Sequence, residues 1–209
     1  MRLGWGFAAA GALALLGSAR GQCRAAPADP AQTVTAQWPE PSRLAAAQLS
    51  ERYGPADQIE ADRLRWVGRA PWKRITLWMV PLDSSAGGLD ETVALRVAPE
   101  QVRELRRFSP QLRVSELGTE LSARSDSEEV NRLLLNLAYR IVQGRLDPAA
   151  ARKSFAKELR LRAAGKESPL MGDLLFRPAP AAGSAWPVRL DLGPEVLPRR
   201  PLWRSRPVP

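Results

Sequence analysis

Residues 125–142, SDSEEVNRLLLNLAYRIV, are the stretch that decides the fold. Apolar residues recur there at three- and four-residue spacing, which on a helix places them in one broad stripe: Val130, Leu133, Leu134, Leu137, Ala138, Ile141 and Val142. Such a stripe has to be buried. Ser125 followed by Glu128 predicts a capping box at the start of the helix, and Gly144 predicts its end.

The segments around this helix alternate between strand and helix patterns. The residue pattern predicts strands over residues 64–67, 73–80, 91–97 and 111–124, and apolar residues on both faces of 73–80 predict an interior strand covered on each side. In the last of these the alternation slips by one near residues 116–118, which predicts a β-bulge. Helical spacing recurs over 42–53, 100–108 and 148–163. We therefore predict an α+β fold, with a small antiparallel sheet of about four strands packed against the central apolar helix and two or three further helices.

The beginning of the chain has the pattern of a secretory signal. Arg2 precedes an apolar run over residues 7–16, and small residues then allow cleavage after Ala19 or Gly21. The run is about half the length needed to span a bilayer. We therefore expect residues 1–21 to be removed from an exported, periplasmic or extracellular protein with no integral membrane span. Cys23 leaves a second mode open, in which its thiol carries a lipid anchor.

Proline content sets the expected limits of the folded domain. Residues 22–41 are rich in Pro and Ala, which predicts a linker, and residues 178–209 carry eight prolines and five arginines, which predicts a disordered tail. The α+β domain is therefore expected over residues 42–177.

The composition restricts the chemistry more than the charge does. The chain has a formal charge of +9, but heavy use of Arg beside Ala, Pro and Leu also follows from a GC-rich genome, so we expect no nucleic-acid partner from charge alone. With no histidine and one cysteine, the chain lacks an imidazole base and a thiolate cluster. We expect no metal site and no cofactor, which leaves carboxylate chemistry, a Ser–Lys pair, or no catalysis.

Four short motifs give the chain a family resemblance. These are ERYGPAD at 51–57, PWKR at 71–74, SAR at 122–124 and LLNLAYRIV at 134–142. Together they resemble a family of uncharacterised bacterial exported proteins and lipoproteins, over residues 49–176. The resemblance implies an envelope location and assigns no activity and no catalytic residues.

Two regions are candidate binding sites. Trp66, Trp72 and Trp78 alternate with basic residues such as Arg74 on the first predicted hairpin, a pattern that serves either a ligand surface or a core covered by arginines. Asn136 lies among leucines, where we expect its amide to tie the helix to a loop such as residues 122–124. Arg124 is expected to form an ion pair with a nearby carboxylate.

A third motif has catalytic spacing. Ser154 and Lys157 fit the S-x-x-K pattern in which a lysine activates a serine one helical turn away. No K-T-G motif or S-x-N motif accompanies the pair, so a solvated helix face explains it as well.

These observations lead to three hypotheses of different kinds. The first is a non-catalytic envelope protein that binds another envelope component. The second is a polyanion- or glycan-binding module that uses the Trp and Arg hairpin. The third is a hydrolase of Ser–Lys type. The partner is then an envelope protein or a polyanion.

Overall fold

The computed structural model describes residues 30–81 and 87–179. Within them the helices are α1 (Pro30–Thr35), α2 (Glu40–Tyr53), α3 (Pro99–Phe108), α4 (Glu128–Val142), α5 (Pro148–Ala163) and α6 (Pro169–Gly172). The strands are β1 (Gln58–Glu60), β2 (Arg63–Val67), β3 (Arg74–Trp78), β4 (Leu89–Ala94), β5 (Leu112–Val114) and β6 (Glu120–Ser125). The predicted signal, Cys23 and the tail beyond residue 179 lie outside these residues.

The strands form one antiparallel sheet in the order β1-β2-β3-β4-β6-β5. This confirms the α+β class, with six strands where about four were expected. The two additional strands are short. β1 has three residues, and the predicted strand over 111–124 is divided into β5 and β6.

The predicted bulge is wrong because the chain turns back at that point. Residues 115–118 connect β5 to β6, and the amide of Gly118 donates to the carbonyl of Ser115 at 2.9 Å. Gly118 has φ +64°, and a Cβ there would lie 2.6 Å from the carbonyl oxygen of Val97. A turn and a bulge both shift the alternation by one residue, so the pattern alone does not separate them.

Helix α4 is the centre of the hydrophobic core. All eight residues from 131 to 138 are buried, and the helix contacts β4, β6, α3, α5 and α6. Its N-cap is Ser127, whose Oγ accepts from the amide of Val130 at 3.4 Å. The predicted cap, Ser125, is instead the last residue of β6, and its hydroxyl donates to the carbonyl of Ser127 at 2.9 Å.

The predicted linker over residues 22–41 is wrong for its described part. Pro30 and Pro41 lie in the first turns of α1 and α2, where a missing backbone N–H costs no hydrogen bond. Trp38, between the two helices, is 3 % exposed, and its indole donates to the carbonyl of Ala61 at 2.9 Å. Residues 30–41 therefore belong to the folded domain.

The ends of the other helices follow the sequence signals closely. Pro99 begins α3, and the Asp147 carboxylate accepts from the first amides of α5 at 2.8 and 2.9 Å. These two backbone amides hold the pKa of Asp147 below its usual value. Helix α2 packs on the core through Ala46 and Leu49, which are buried, whereas Leu44 is 55 % exposed.

Candidate functional site

The sheet has one apolar face and one charged face. Side chains alternate along each strand, so every second residue of β2, β3, β4 and β6 packs toward α4. The residues between them form what we call the arginine face: Arg63, Arg65, Arg74, Thr76, Trp78, Asp90, Thr92, Arg113, Glu120, Ser122 and Arg124. The pairing register of the strands determines which of these side chains lie next to each other.

Two rows cross the arginine face. One row aligns Arg65, Thr76, Asp90 and Arg124 on four successive strands, and the next aligns Arg74, Thr92, Ser122 and Arg113. Side chains directly opposite each other in such rows have Cβ atoms roughly 5 Å apart. The rows therefore bring arginines from four strands together, and they surround a depression of about 330 Å³ lined by Arg65, Arg74, Thr76, Trp78, Asp90, Arg113 and Ser122.

Trp78 organises one end of this face. The guanidinium carbons of Arg63 and Arg124 lie 4.9 and 5.4 Å from the centre of its rings. Arg63 comes from β2 and Arg124 from β6, on either side of β3. Because guanidinium groups occupy the ring, Trp78 orients arginines in preference to stacking a sugar or a base.

Several of the arginines on this face have no carboxylate partner. Arg63 pairs with Glu60, and Arg74 shares Glu120 with Lys73, whose Nζ lies 2.6 Å from that carboxylate and holds the pKa of Glu120 below its usual value. Within residues 30–81 and 87–179, no carboxylate oxygen lies within 4 Å of a side-chain nitrogen of three further residues: Arg65, Arg113 and Arg124. The face thus keeps unneutralised positive charge.

Three donors on the same face are buried and have no hydrogen-bond partner in the part of the chain that the structure describes. They are Nε of Arg63, Nε of Arg65 and Nε1 of Trp78. Each such donor costs free energy when it is removed from water without an acceptor, on the order of 1–3 kcal/mol.

Asp90 is the acid at the centre of this cluster. It lies directly across from Thr76 and Arg124 and lines the depression. Burial raises the pKa of Asp90, against the opposing effect of Arg113, Arg74 and Arg124. Since none of these arginines forms an ion pair with it, the carboxylate is held near them without being neutralised by a close contact.

The residues selected from sequence divide between core and surface. Trp66 and Trp72 are buried, and their indoles donate to the carbonyl of Gly54 and the hydroxyl of Tyr53 at 2.9 and 3.1 Å. Three of the candidates share the arginine face: Arg74, Trp78 and Arg124. Within the described residues, Arg124 forms no ion pair with a nearby carboxylate, contrary to the prediction. Its Nε donates to the carbonyl of Gly87 at 2.7 Å.

Asn136 is a fully bonded core amide. Its Nδ2 donates to the carbonyls of Leu170 and Asp173 at 2.9 and 2.8 Å, and its Oδ1 accepts from the amide of Leu175 at 2.7 Å. The segment it holds is therefore residues 170–175, where residues 122–124 were expected. With its bonding capacity met inside the core, Asn136 is separate from the arginine face.

Sequence reasoning missed two members of the site. Arg113 was a single arginine in a strand segment, and Asp90 preceded the predicted start of its strand at residue 91. The available signal was the alternation of β4 itself. Leu89, Glu91 and Val93 share the inner face, which places Asp90 outward.

A second polar cluster lies on the inner face beside a groove of about 980 Å³ between α2, α4 and α5. Glu128 at the start of α4 forms ion pairs with Arg52 at 2.7 Å and Arg132 at 2.5 Å. Behind them Glu91 has no exposed surface, and neither of its carboxylate oxygens has a hydrogen-bond partner. Burial, followed by the charge of Glu128, raises the pKa of Glu91 to about 8, so it is protonated at neutral pH.

The catalytic spacing of Ser154 and Lys157 gains no structural support. Both residues lie in α5, and within the described residues no hydrogen bond joins them. Lys157 is exposed and Ser154 is half-buried. Neither residue lines the groove or the depression.

Metal-binding groups, membrane-spanning helices and similarity to known proteins add no further candidate site among the described residues. In the described part of the chain, no group of three His, Cys, Asp or Glu residues is placed to hold a metal ion. None of the helices in residues 30–81 and 87–179 has the length and apolar character required to cross a bilayer. No protein-family model, curated protein or solved structure matches the chain. The resemblance to exported bacterial proteins therefore stays a prediction.

Proposed function

We propose that this protein is a non-catalytic binding protein of the bacterial envelope and that the arginine face binds anionic groups of an envelope component. The observation that carries the proposal is the cluster of Arg65, Arg113 and Arg124 on the arginine face, none of which has a carboxylate partner among the described residues, beside a depression that Arg65 and Arg113 line. Guanidinium groups bind phosphate, sulfate and carboxylate oxygens through paired N–H donors. The export signal predicted from residues 1–21 supports the envelope location.

This proposal joins two of the sequence hypotheses. The envelope component of the first hypothesis becomes an anionic partner, as in the second. The glycan-stacking variant of the second loses support, because Trp66 and Trp72 are in the core and arginines occupy the ring of Trp78.

Removing two unpaired arginines should weaken binding to a polyanion. We expect the double variant Arg113→Gln and Arg124→Gln to leave a heparin column at lower salt than the wild-type protein and to lose roughly tenfold or more in affinity. The slope of log affinity against log salt should fall by about two, or about one for each arginine removed. The measurement is elution salt, followed by titration at several salt concentrations.

A matched control separates this site from general charge. Arg103→Gln with Arg106→Gln removes the same charge from exposed positions of α3, a helix that packs against α4 and α5. We expect that pair to change the elution salt far less. Equal effects of the two double variants, or no retention of the wild-type protein at low salt, would contradict the proposal.

A further inference from the structure

The position of Asp90 raises a question that an anion site alone does not answer. A carboxylate at the centre of an arginine cluster repels any anion that enters the depression, so a surface evolved for charge alone gains nothing from it. Asp90 also lies where a bound anion would lie, across from Arg124 and beside the row that holds Arg74 and Arg113. The role of Asp90 therefore depends on whether the bound anion carries a proton.

Anions differ in whether they carry a proton. A phosphomonoester has a second pKa of about 6, so near neutral pH it can keep one hydroxyl. A sulfate ester keeps none. A carboxylate accepts a hydrogen bond from a phosphate hydroxyl, whereas it meets the oxygens of a sulfate only as one negative charge meets another. A carboxylate among cationic donors therefore favours binding of the phosphomonoester over binding of the sulfate ester.

We propose that Asp90 makes the depression selective for phosphomonoesters over sulfate esters, by sharing the proton that only the phosphate can supply. The inference rests on the proposed anion binding at the arginine face and names its ligand class. In the complex, the arginines donate to the phosphate oxygens while one proton lies between the phosphate and Asp90. The raised pKa of Asp90 favours such sharing, because it brings the proton affinity of the carboxylate closer to that of the phosphate oxygens that supply the proton.

Asn at position 90 is the informative substitution. The amide of Asp90→Asn has the same shape and no charge, so it neither repels sulfate nor depends on a shared proton. Asp126→Asn, at an exposed position just before α4, is the control for loss of one negative charge.

The experiment compares phenyl phosphate with phenyl sulfate at pH 6, titrated into the full chain and followed by the NMR signals of the Trp78 indole. We expect the wild-type protein to prefer phenyl phosphate by about tenfold or more. Asp90→Asn should reduce that ratio several-fold, chiefly by strengthening the binding of phenyl sulfate, while Asp126→Asn should leave the ratio unchanged. Asp90→Asn should also raise the salt at which the protein leaves heparin.

Two outcomes separate failure of this inference from failure of the proposed function. If Asp90→Asn strengthens the binding of both anions by the same factor, Asp90 acts only as a repulsive charge. The selectivity proposal then fails, while the proposal of anion binding stands. If neither anion shifts the Trp78 signal and the arginine variants leave heparin retention unchanged, anion binding itself fails.

Vesicles identify the source of the monoester. Binding to phosphatidate vesicles above phosphatidylglycerol vesicles, which carry only a phosphodiester, would support a lipid headgroup. Binding of phenyl phosphate without vesicle binding would support a soluble ligand.

Discussion

Raising the pH from 5 to 9 is expected to destabilise the folded protein, with Glu91 as the main cause. The pKa of this carboxyl is about 8 in the folded state and near the usual 4.5 in the unfolded chain. The folded state therefore retains the proton more strongly. The stabilisation that the bound proton of Glu91 provides is fully present below pH 4.5 and is lost as the pH rises through 8. The total loss is roughly 4 kcal/mol in the free energy of unfolding.

The surroundings of Glu91 explain why the proton is retained. The side chain of Asn131 donates from Nδ2 to the carbonyl of Leu89 at 3.1 Å, while its Oδ1 has no partner. A protonated Glu91 offers the hydroxyl donor that this Oδ1 lacks. The amide of Asn131 and the charge of Arg132 lower the pKa of Glu91, but no oxygen of Glu91 forms a hydrogen bond within the described residues, and burial outweighs both effects.

Glu91→Gln is the variant that checks this explanation. Glutamine keeps a donor for Asn131 and has no proton to lose, so the variant should be more stable than the wild-type protein at pH 9 and nearly independent of pH between 5.5 and 9. Urea unfolding at the two ends of that range measures the difference. The window is favourable because the chain has no histidine.

A control follows from the same reasoning. Glu100→Gln, at an exposed position in the first turn of α3, should keep the pH dependence of the wild-type protein. Asp90, whose pKa is also raised by burial, should contribute a smaller loss of the same sign. If Glu91→Gln retained the full pH dependence, the buried carboxyl would not be its source.

The sequence predicted best what depends on neighbouring residues. The apolar period of α4, the Asp147 cap of α5 and the proline that begins α3 are local signals, and each is present in the structure. Helix α1 was not predicted, because the proline content of residues 22–41 indicates a linker, although Pro30 and Pro41 lie in the first turns of α1 and α2. Local sequence signals therefore predicted the helices more reliably than the overall composition of a segment did.

The candidate site was only partly predictable because it depends on strand order and register. Arg74 and Arg124 are fifty residues apart in sequence and share one face only because β4 pairs with both β3 and β6. Trp66 and Trp78 follow the same alternating pattern, yet one is in the core and the other is on the arginine face. Their separation needs the phase of each strand relative to α4, which periodicity alone does not provide.

Replacing Asn136 should release the segment that follows α6. In Asn136→Leu, the carbonyls of Leu170 and Asp173 and the amide of Leu175 all lose their partner inside the core. Each orphaned group costs about 1–3 kcal/mol, so with three such groups we expect a loss of roughly 3 kcal/mol or more in the stability of this segment. Hydrogen exchange at the amide of Leu175 measures it directly, and protection there should fall by at least a hundredfold.

Asn131→Leu is the matched control, because the same substitution in the same helix removes a buried amide with one hydrogen bond instead of three. At pH 6, where Glu91 is protonated, we expect it to cost less than half as much and to leave the amide of Leu175 protected. Phe176 also stacks on Tyr139, with ring centres 4.4 Å apart, so apolar contacts could hold the segment alone. Equal effects of the two leucine variants would favour that explanation. A selective loss at Asn136 would show that a polar group fixes residues 170–175 against the apolar helix, because the two substitutions remove the same amide but break three hydrogen bonds in one case and one in the other.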